Sequence, residues 1–503
     1  MGPRSRATGD LGRRWLFADQ LGPHFLDAPQ QPVLLIESRH AFARRRFHRQ
    51  KAHLVLSALR HRAAELDRQA MFIQADTYAA ALAQVDEPLT VCGPTTHAAE
   101  RFVQRQEPVT VLPARGFVTS REDFANWAAN RGRRRLLLED FYRDVRVRRE
   151  ILMDGSTPAG GRWNFDHDNR KPPPRGSSRL GAPAPWWPAE DAIDAEVRQD
   201  LDRWERDGTV RSVGSDGPRR FAVTRAEAVS ALEHFVEHRL PAFGAHEDAM
   251  LAGDDWMAHS LLSIPLNLGL LDPLEVVEAA AASYRSGQAP IAAVEGFVRQ
   301  IIGWRDWTWQ LYWHFDRNYR ERNALRAHRD VPDWFQDLDA EGNVQARCLS
   351  ETLRGVRENG WAHHIQRLMV LGNYALQRGW RPDQLTDWFH RSFVDGYDWV
   401  MVTNVVGMSQ HADGGLLATK PYAAGGAYLN KMSDYCGSCV YDPKVRVGPD
   451  ACPFTAGYWW FLSRNQERLR HNHRLARPLK QLETLDGIEE VVAQEDDRGS
   501  RAP

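Results

Sequence analysis

Four cysteines constrain this chain more than any other feature: Cys348, then Cys436 and Cys439 with two residues between them, then Cys452 followed by Pro453. The close trio reads C-G-S-C, twelve residues, C-P. A C-x-x-C turn presents two sulfurs to one inorganic centre, and a third cysteine on a returning segment closes the face. Four thiolates suit a zinc ion or a [4Fe–4S] cluster, and the spacing leaves both open. Either centre gathers residues 348 to 452 around one core and so sets the architecture of that half. The fifth cysteine, Cys92, lies in an apolar run (LTVCG, 89–93) and reads as a small buried hydrophobe.

Length and charge describe a large soluble protein. The 503 residues suggest two to four domains. With 65 basic and 66 acidic side chains the formal net charge is −1, so a nucleic-acid site has to be a local basic patch. Eighteen tryptophans supply core mass, electron relays or base-stacking platforms. Five cysteines do not make a secreted disulfide framework. The amino terminus has no apolar leader core and no stretch reaches the length of a membrane span, so a cytoplasmic bacterial protein, monomeric and away from membranes, is expected.

Periodicity divides the chain. RWLFA (14–18), VLLIE (33–37), MFIQA (71–75), LTVCG (89–93) and VTVLP (109–113) are short apolar runs, with a long amphipathic helix over about 47–68. Strands alternating with helices predict an α/β domain over 1–135 with a doubly wound parallel sheet. Residues 136–225 read as an interdomain linker, with a Gly/Pro/Ser/Arg-rich loop at 155–190 that carries Arg170, Lys171, Arg175 and Arg179. Residues 226–483 show helical spacing throughout; Asn359-Gly360 stops one helix before another predicted over Trp361–Gln377. The acidic end, 484–503, is expected to be a disordered tail.

Six segments then carry a resemblance: WNFDHDNRK (163–171), EDAMLAG (247–253), VEGFVRQIIGWR (294–305), AHHIQRLMV (362–370), NVVGMSQHADGG (404–415) and KPYAAGGAYLNKMSDYCGSCVYDP (420–443). Together with the cysteine spacing they resemble the iron–sulfur bacterial cryptochromes and photolyases, the prokaryotic (6-4) photolyase family, over nearly the whole chain. The resemblance implies the photolyase/cryptochrome architecture: an antenna domain on the sheet and an all-α domain holding FAD and a [4Fe–4S] cluster on Cys348, Cys436, Cys439 and Cys452. It implies a 6,7-dimethyl-8-ribityllumazine antenna and UV-damaged DNA as partner.

Site residues follow from the same pattern. His364 matches the active-site histidine; adjacent helical positions point about 100° apart, so His363 is left to orient it or to meet the flavin. An imidazolium near its reference pKa of about 6.5 supplies a proton to the migrating hydroxyl of a (6-4) lesion near neutral pH. The resemblance places His259, Ser260, Ser263, Asn267, Glu295, Arg299, Trp304, Asn404, Asp413 and Gly414 around FAD, and Tyr422 and Tyr428 at the lesion. Trp388 matches the flavin-proximal electron relay. The family's next relay falls eight residues before the first cluster cysteine, where this chain has Ala340, with Trp334, Trp361 or Tyr435 as substitutes; Met401 stands where many members carry a glutamate. Ligands of doubly wound sheets sit outside the carboxyl ends of the strands, which puts Asp19, Gln20 and Glu37 at the lumazine. Phosphate contacts are expected from the 170–180 loop and from Arg464, Arg468, Arg470, His471, His473 and Arg474.

The expected activity is light-driven repair of (6-4) photoproducts by a carbon–carbon lyase that flips the damaged bases into the flavin cavity. A photoreceptor with the same cofactors and no repair, and a zinc-stabilised DNA-binding protein, are the two rival readings.

Overall fold

A computed structural model describes residues 12–338 and 343–503. Five strands, β1 (Arg13–Leu16), β2 (Val33–Ser38), β3 (Ala70–Ala75), β4 (Leu89–Cys92) and β5 (Val109–Leu112), form a parallel sheet in the order β3-β2-β1-β4-β5. All five coincide with the apolar runs of the sequence. Alternation sends Val33 and Leu35 to one face, against Leu54 and Ala58 of helix Arg49–Leu66, and Leu34 and Ile36 to the other, against Ala81 and Val103. The order reverses between β1 and β4, which opens a crevice at their carboxyl ends.

The rest of the chain is helical. A single long rod runs through Ile291–Val298, Arg299–Arg305 and Asp306–His314, its middle segment wound as π-helix. Similar wide turns occupy Phe235–Arg239, Gln366–Gly372 and Val402–Ser409. Such turns forfeit regular hydrogen-bond register and collect at functional sites; here they carry Arg299, Trp304, Arg367 and Asn404. The two regions are sewn together at Asp306, whose carboxylate accepts the Val118 N–H at 2.9 Å and the Thr119 hydroxyl, while Gln310 Nε2 donates to the Thr119 carbonyl at 2.8 Å. Burial pushes the Asp306 pKa up to about 6.

Three segments depart from the sequence reading. The stretch expected as linker contains two helices, Leu138–Arg149 and Ala192–Arg206. Phe141, Tyr142 and Val145 of the first belong to the main core, with Phe141 set 5.4 Å from Trp307. Val197, Leu201 and Trp204 of the second pack on Ala52 and Leu56. The helix expected from Trp361 begins at His364. Gly360, at φ 57°, ends the preceding helix in the left-handed region, and Gln366 turns back to accept the His363 N–H at 3.1 Å, fixing the new start. The acidic end is ordered: Ile488–Arg498 is a helix, Glu495 is fully buried against Arg378, and the Pro503 carbonyl accepts the Gln345 and Ala346 amides at 2.6 and 3.0 Å. Glu495, Asp496 and Asp497 find Arg378, Arg329 and Arg501, so part of the charge that argued for fraying is neutralised.

Candidate functional site

Because His363 precedes the helix, its ring is free of the 100° constraint, and both histidines of the pair meet His259. His259 and His363 stack with centroids 4.7 Å apart, and His364 lies 5.5 Å from His259. His259 and His363 are buried, and burial with neighbouring positive charge holds both well below the ordinary imidazole pKa. Both ring nitrogens of His363 and Nε2 of His259 meet no partner among the described residues. His364 is the accessible member; its Nε2 lies 3.3 Å from Asp248 Oδ1.

The WNFDHDNRK loop closes this pocket. Glu295, fully buried on the long rod, accepts the Phe165 N–H at 2.9 Å and the Tyr142 hydroxyl at 3.0 Å. Asn169 Nδ2 donates to the Ala292 carbonyl at 2.9 Å. So pinned, the loop sets Asp166 between Arg170 and Arg299 (3.1 Å to Arg299 Nη1), with Arg170 Nε 3.9 Å from Asp248. Tyr422 and Tyr428 sit close enough to feel both Arg170 and Asp248, and burial raises both phenol pKa values. Glu247 lies beneath, with one carboxylate oxygen unpartnered and its pKa pushed by burial up to about 7. His364, the two tyrosines and the loop arginine therefore gather around Asp248, although 194 residues of sequence separate Arg170 from His364.

The residues expected at FAD divide. Ser263 Oγ donates to Asp395 Oδ2 at 2.9 Å and Asn267 Nδ2 to the Asp395 carbonyl at 3.3 Å. Arg367 adds two bonds to the same carboxylate, 2.8 and 3.1 Å, and a third to the Ala362 carbonyl at the start of the histidine pair. Asp395 and Arg367 were not read from the sequence as site residues; the only signal was that Arg367 lies within AHHIQRLMV. Ser260 accepts the Leu262 amide at 3.3 Å and shares a small cleft with Trp186, His234 and Arg239. Trp304 is half-buried against the main core. Asn404 bonds back to the Val400 carbonyl at 2.9 Å. Asp413 is engaged in loop closure: it accepts the Gly415, Leu416 and Leu417 amides and the Tyr319 hydroxyl (2.9 Å), with Gly414 at φ 72°. Met401 packs in the core that holds Trp388. Ala340 lies outside the described residues.

Cys348, Cys436, Cys439 and Cys452 line one cavity, walled by Leu429, Tyr435, Tyr441 and Phe454, and none is in a disulfide. Burial and mutual repulsion push the thiols of Cys348 and Cys436 upward, Cys436 to about 12, so thiolates here require a cationic centre. A single zinc with Zn–S near 2.3 Å needs sulfurs about 3.8 Å apart. Among the described residues, the ligand-type trios that converge within 4.8 Å are His259/His363/His364 and His61/Asp191/Asp194. No three of the cysteine sulfurs converge to that spacing among the described residues.

At the sheet, Asp19 follows β1 and bonds the Thr95 hydroxyl beyond β4, bridging the switch point. Gln20 is taken up by the Cys92 carbonyl at 3.1 Å. Glu37 is held by Arg60 through two 2.8 Å bonds and by Gln74, so its oxygens tie β2 to the helix above. Among the expected phosphate contacts, Arg464 is structural: it stacks 3.9 Å from the Trp460 ring, donates to the Gln377 and Arg378 carbonyls, and burial lowers its pKa to about 9. Arg470 pairs with Glu467, whereas Lys171, Arg175 and Arg179 are exposed. No described helix is long and apolar enough to cross a membrane.

Known proteins resemble this chain in sequence and in fold. The description "deoxyribodipyrimidine photo-lyase-related protein" matches residues 14–209. A (6-4) photolyase of Agrobacterium fabrum is 40% identical over 491 residues, 92% of this chain and 94% of that protein. The fold is shared with a bacterial class III photolyase from Agrobacterium tumefaciens (TM-score 0.58, 14% identity, 99% of this chain and 98% of that one). It is also shared with the Synechocystis sp. cryptochrome (TM-score 0.51, 12% identity, 80% and 83%). Identity of this level along nearly the full length of both chains, on the same two-part fold, makes this chain a member of the (6-4) photolyase family, the deoxyribodipyrimidine photolyase-related proteins.

Proposed function

We propose that this protein is a DNA photolyase that repairs (6-4) pyrimidine photoproducts under blue light. The observation that carries the reading is the gathering of His364, Arg170, Tyr422 and Tyr428 around Asp248. It is open at His364 and closed behind it by two uncharged, stacked imidazoles. A flipped dinucleotide lies against the tyrosine rings, its phosphates toward Arg170, Lys171 and Arg175. His364 delivers a proton to the migrating hydroxyl and recovers it when the oxygen has returned to its own base. Asp248, 3.3 Å from Nε2, orients the imidazole.

FAD, when bound, supplies the light-driven electron and receives it back, so the reaction has no net redox change. Ser260, Ser263, Asn267, Arg367 and Asp395 are the polar groups that would hold it, with His259 and His363 offering unpartnered ring nitrogens. The apolar cavity, with no three sulfurs converging within 4.8 Å among the described residues, supports a [4Fe–4S] cluster over zinc. A ribityllumazine is assigned to the β1/β4 crevice beside Asp19, the one of its three expected contacts not fully engaged elsewhere.

The test is an anaerobic repair assay on an oligonucleotide bearing one (6-4) lesion, illuminated and dark, with wild type and His364→Asn. Light-dependent repair that His364→Asn abolishes, with FAD retained, is the expected result. Intact FAD and photochemistry without repair in the wild type would establish the photoreceptor instead.

A further inference from the structure

The family's second electron relay is absent from this sequence, yet an aromatic path leaves Trp388 in another direction. The rings in contact with Trp388 among the described residues are three phenylalanines: Phe335 at 4.5 Å, Phe389 at 5.0 Å and Phe393 at 5.8 Å. A phenylalanine ring is too hard to oxidise to hold a positive hole, but it couples neighbours that touch it. Phe335 touches two tryptophans, Trp380 at 4.8 Å and Trp334 at 5.6 Å. Trp380 and Trp334 are themselves 6.0 Å apart. Trp388 and Trp380 are buried at 1% exposure, while Trp334 is half-exposed with its indole N–H on the Ser500 carbonyl at 2.8 Å. The path runs from core to surface in contact steps.

The neighbouring rings are poor stations. Tyr374 lies 5.6 Å from Trp380, but its hydroxyl is buried without a hydrogen-bond partner among the described residues and the Arg378 guanidinium is 5.3 Å from its ring. Tyrosine is oxidised near neutral pH only if its proton leaves, and here nothing receives it. Trp460 carries three guanidiniums, Arg329, Arg378 and Arg464, at 4.6, 4.6 and 3.9 Å, which oppose a positive hole on it. Trp361, which stacks on Trp256 at 5.0 Å, and Tyr435, bonded to Gln366 at the cysteine cavity, have no ring contact with this path.

We propose that Trp388, Trp380 and Trp334, coupled through Phe335, form the electron-entry route of this chain in place of a relay at position 340. The route presupposes the flavin site proposed above. Trp388 gives one electron to light-excited oxidised FAD; Trp380 refills Trp388, Trp334 refills Trp380, and a thiol in solution refills Trp334. Two such events convert two thiols to one disulfide; of the two thiol protons, one goes to the doubly reduced flavin and one to solvent.

The experiment uses the holoprotein and compares wild type with Trp380→Phe, Trp334→Phe, Tyr374→Phe and Trp460→Phe. FAD per chain is measured by extraction, bleaching of the oxidised-flavin band is followed under blue light with a thiol, and tryptophanyl radical lifetime is read by transient absorption. Trp380→Phe and Trp334→Phe are expected to keep FAD and to slow bleaching by about tenfold or more, a barrier change of about 1.4 kcal/mol. In Trp334→Phe the radical should recombine early instead of persisting. Tyr374→Phe and Trp460→Phe are expected within about twofold of wild type. Wild-type bleaching in both Trp380→Phe and Trp334→Phe would overturn the route, as would equal slowing in Tyr374→Phe. If Trp380→Phe loses FAD, the half-exposed Trp334→Phe decides. Dithionite-reduced samples separate this from the repair reading: reduced variants should repair a lesion at the rate of reduced wild type, and failure of the reduced wild type would end the repair reading while leaving the bleaching result intact.

Discussion

Arg367 grips Asp395 with both arms, Nη1 to Oδ1 at 2.8 Å and Nη2 to Oδ2 at 3.1 Å. The pair is mostly buried, at 17% and 8% side-chain exposure. It fixes Ser263 and Asn267 on one side and the backbone entering His363 on the other.

Asp395→Asn leaves the guanidinium without its charge partner and frees Ser263. Breaking a buried pair costs about 3–5 kcal/mol, and a loss of about 3 kcal/mol corresponds to roughly a hundredfold in affinity. Desalted Asp395→Asn should therefore retain little FAD while its far-UV circular dichroism stays native. Full occupancy would mean that the pair only braces the helices.

Gly426 starts a helix so close to Cys452 that an added Cβ would sit 2.9 Å from its sulfur and 2.6 Å from Thr455 Oγ1. Gly437 lies inside the C-G-S-C turn itself, yet a Cβ there meets nothing within 4 Å. Gly426→Ala should lower iron per chain severely; Gly437→Ala should keep it. Equal iron in both would show that Cys452 is not held by this contact.

How far the sequence reached depends on the range of each interaction. The strands were legible because Val33–Ser38 and its partners are apolar runs whose neighbours all lie in one sheet. The cysteines were legible because spacing alone limits what thiolates do. Helix Ala192–Arg206 was missed beside a proline-rich stretch, although Ile193, Val197, Leu201 and Trp204 keep helical spacing and Asp191 with Asp194 forms a capping box. His363 was assigned the wrong freedom because a glutamine side chain, not periodicity, sets where its helix begins. Asp395 could not be found, since its role arises from partners 28 and 132 residues away. Glu37 and Gln20 were read as ligand contacts because position at a strand end does not reveal that Arg60 and a backbone carbonyl already occupy them.

Glu295 connects the long rod to the 163–171 loop through Phe165 and to Tyr142, with Arg299 Nε 3.3 Å away. Hydrogen bonds to a buried charge are worth about 1.5–3 kcal/mol. Glu295→Gln keeps the shape and removes the charge, so a loss of about 3 kcal/mol in denaturant unfolding is expected, with faster tryptic cleavage at Arg162 and Arg170. Unchanged cleavage would show that Asn169 alone anchors the loop.

Glu247 makes the stability of the pocket pH-dependent. Burial is the largest cause of its raised pKa, about 7 against an ordinary 4.5, with His364 and Arg299 pulling the other way. Its facing charges are His364, Arg299, Asp248 and Asp166. A carboxyl with a raised folded-state pKa binds its proton more tightly in the folded protein. Its contribution is therefore fully present below about pH 4.5 and is lost as pH rises through about 7. The difference is on the order of 3 kcal/mol at most. Glu247→Gln holds the neutral form at every pH. Its melting temperature should match wild type near pH 5 and exceed it by a few degrees near pH 8, where the wild type carries an ionised carboxylate with Oε2 unpartnered among the described residues. A constant offset between the two proteins from pH 5 to pH 8 would mean that Glu247 is already ionised at the lower pH, because water or a bound phosphate-bearing ligand reaches the floor of the pocket.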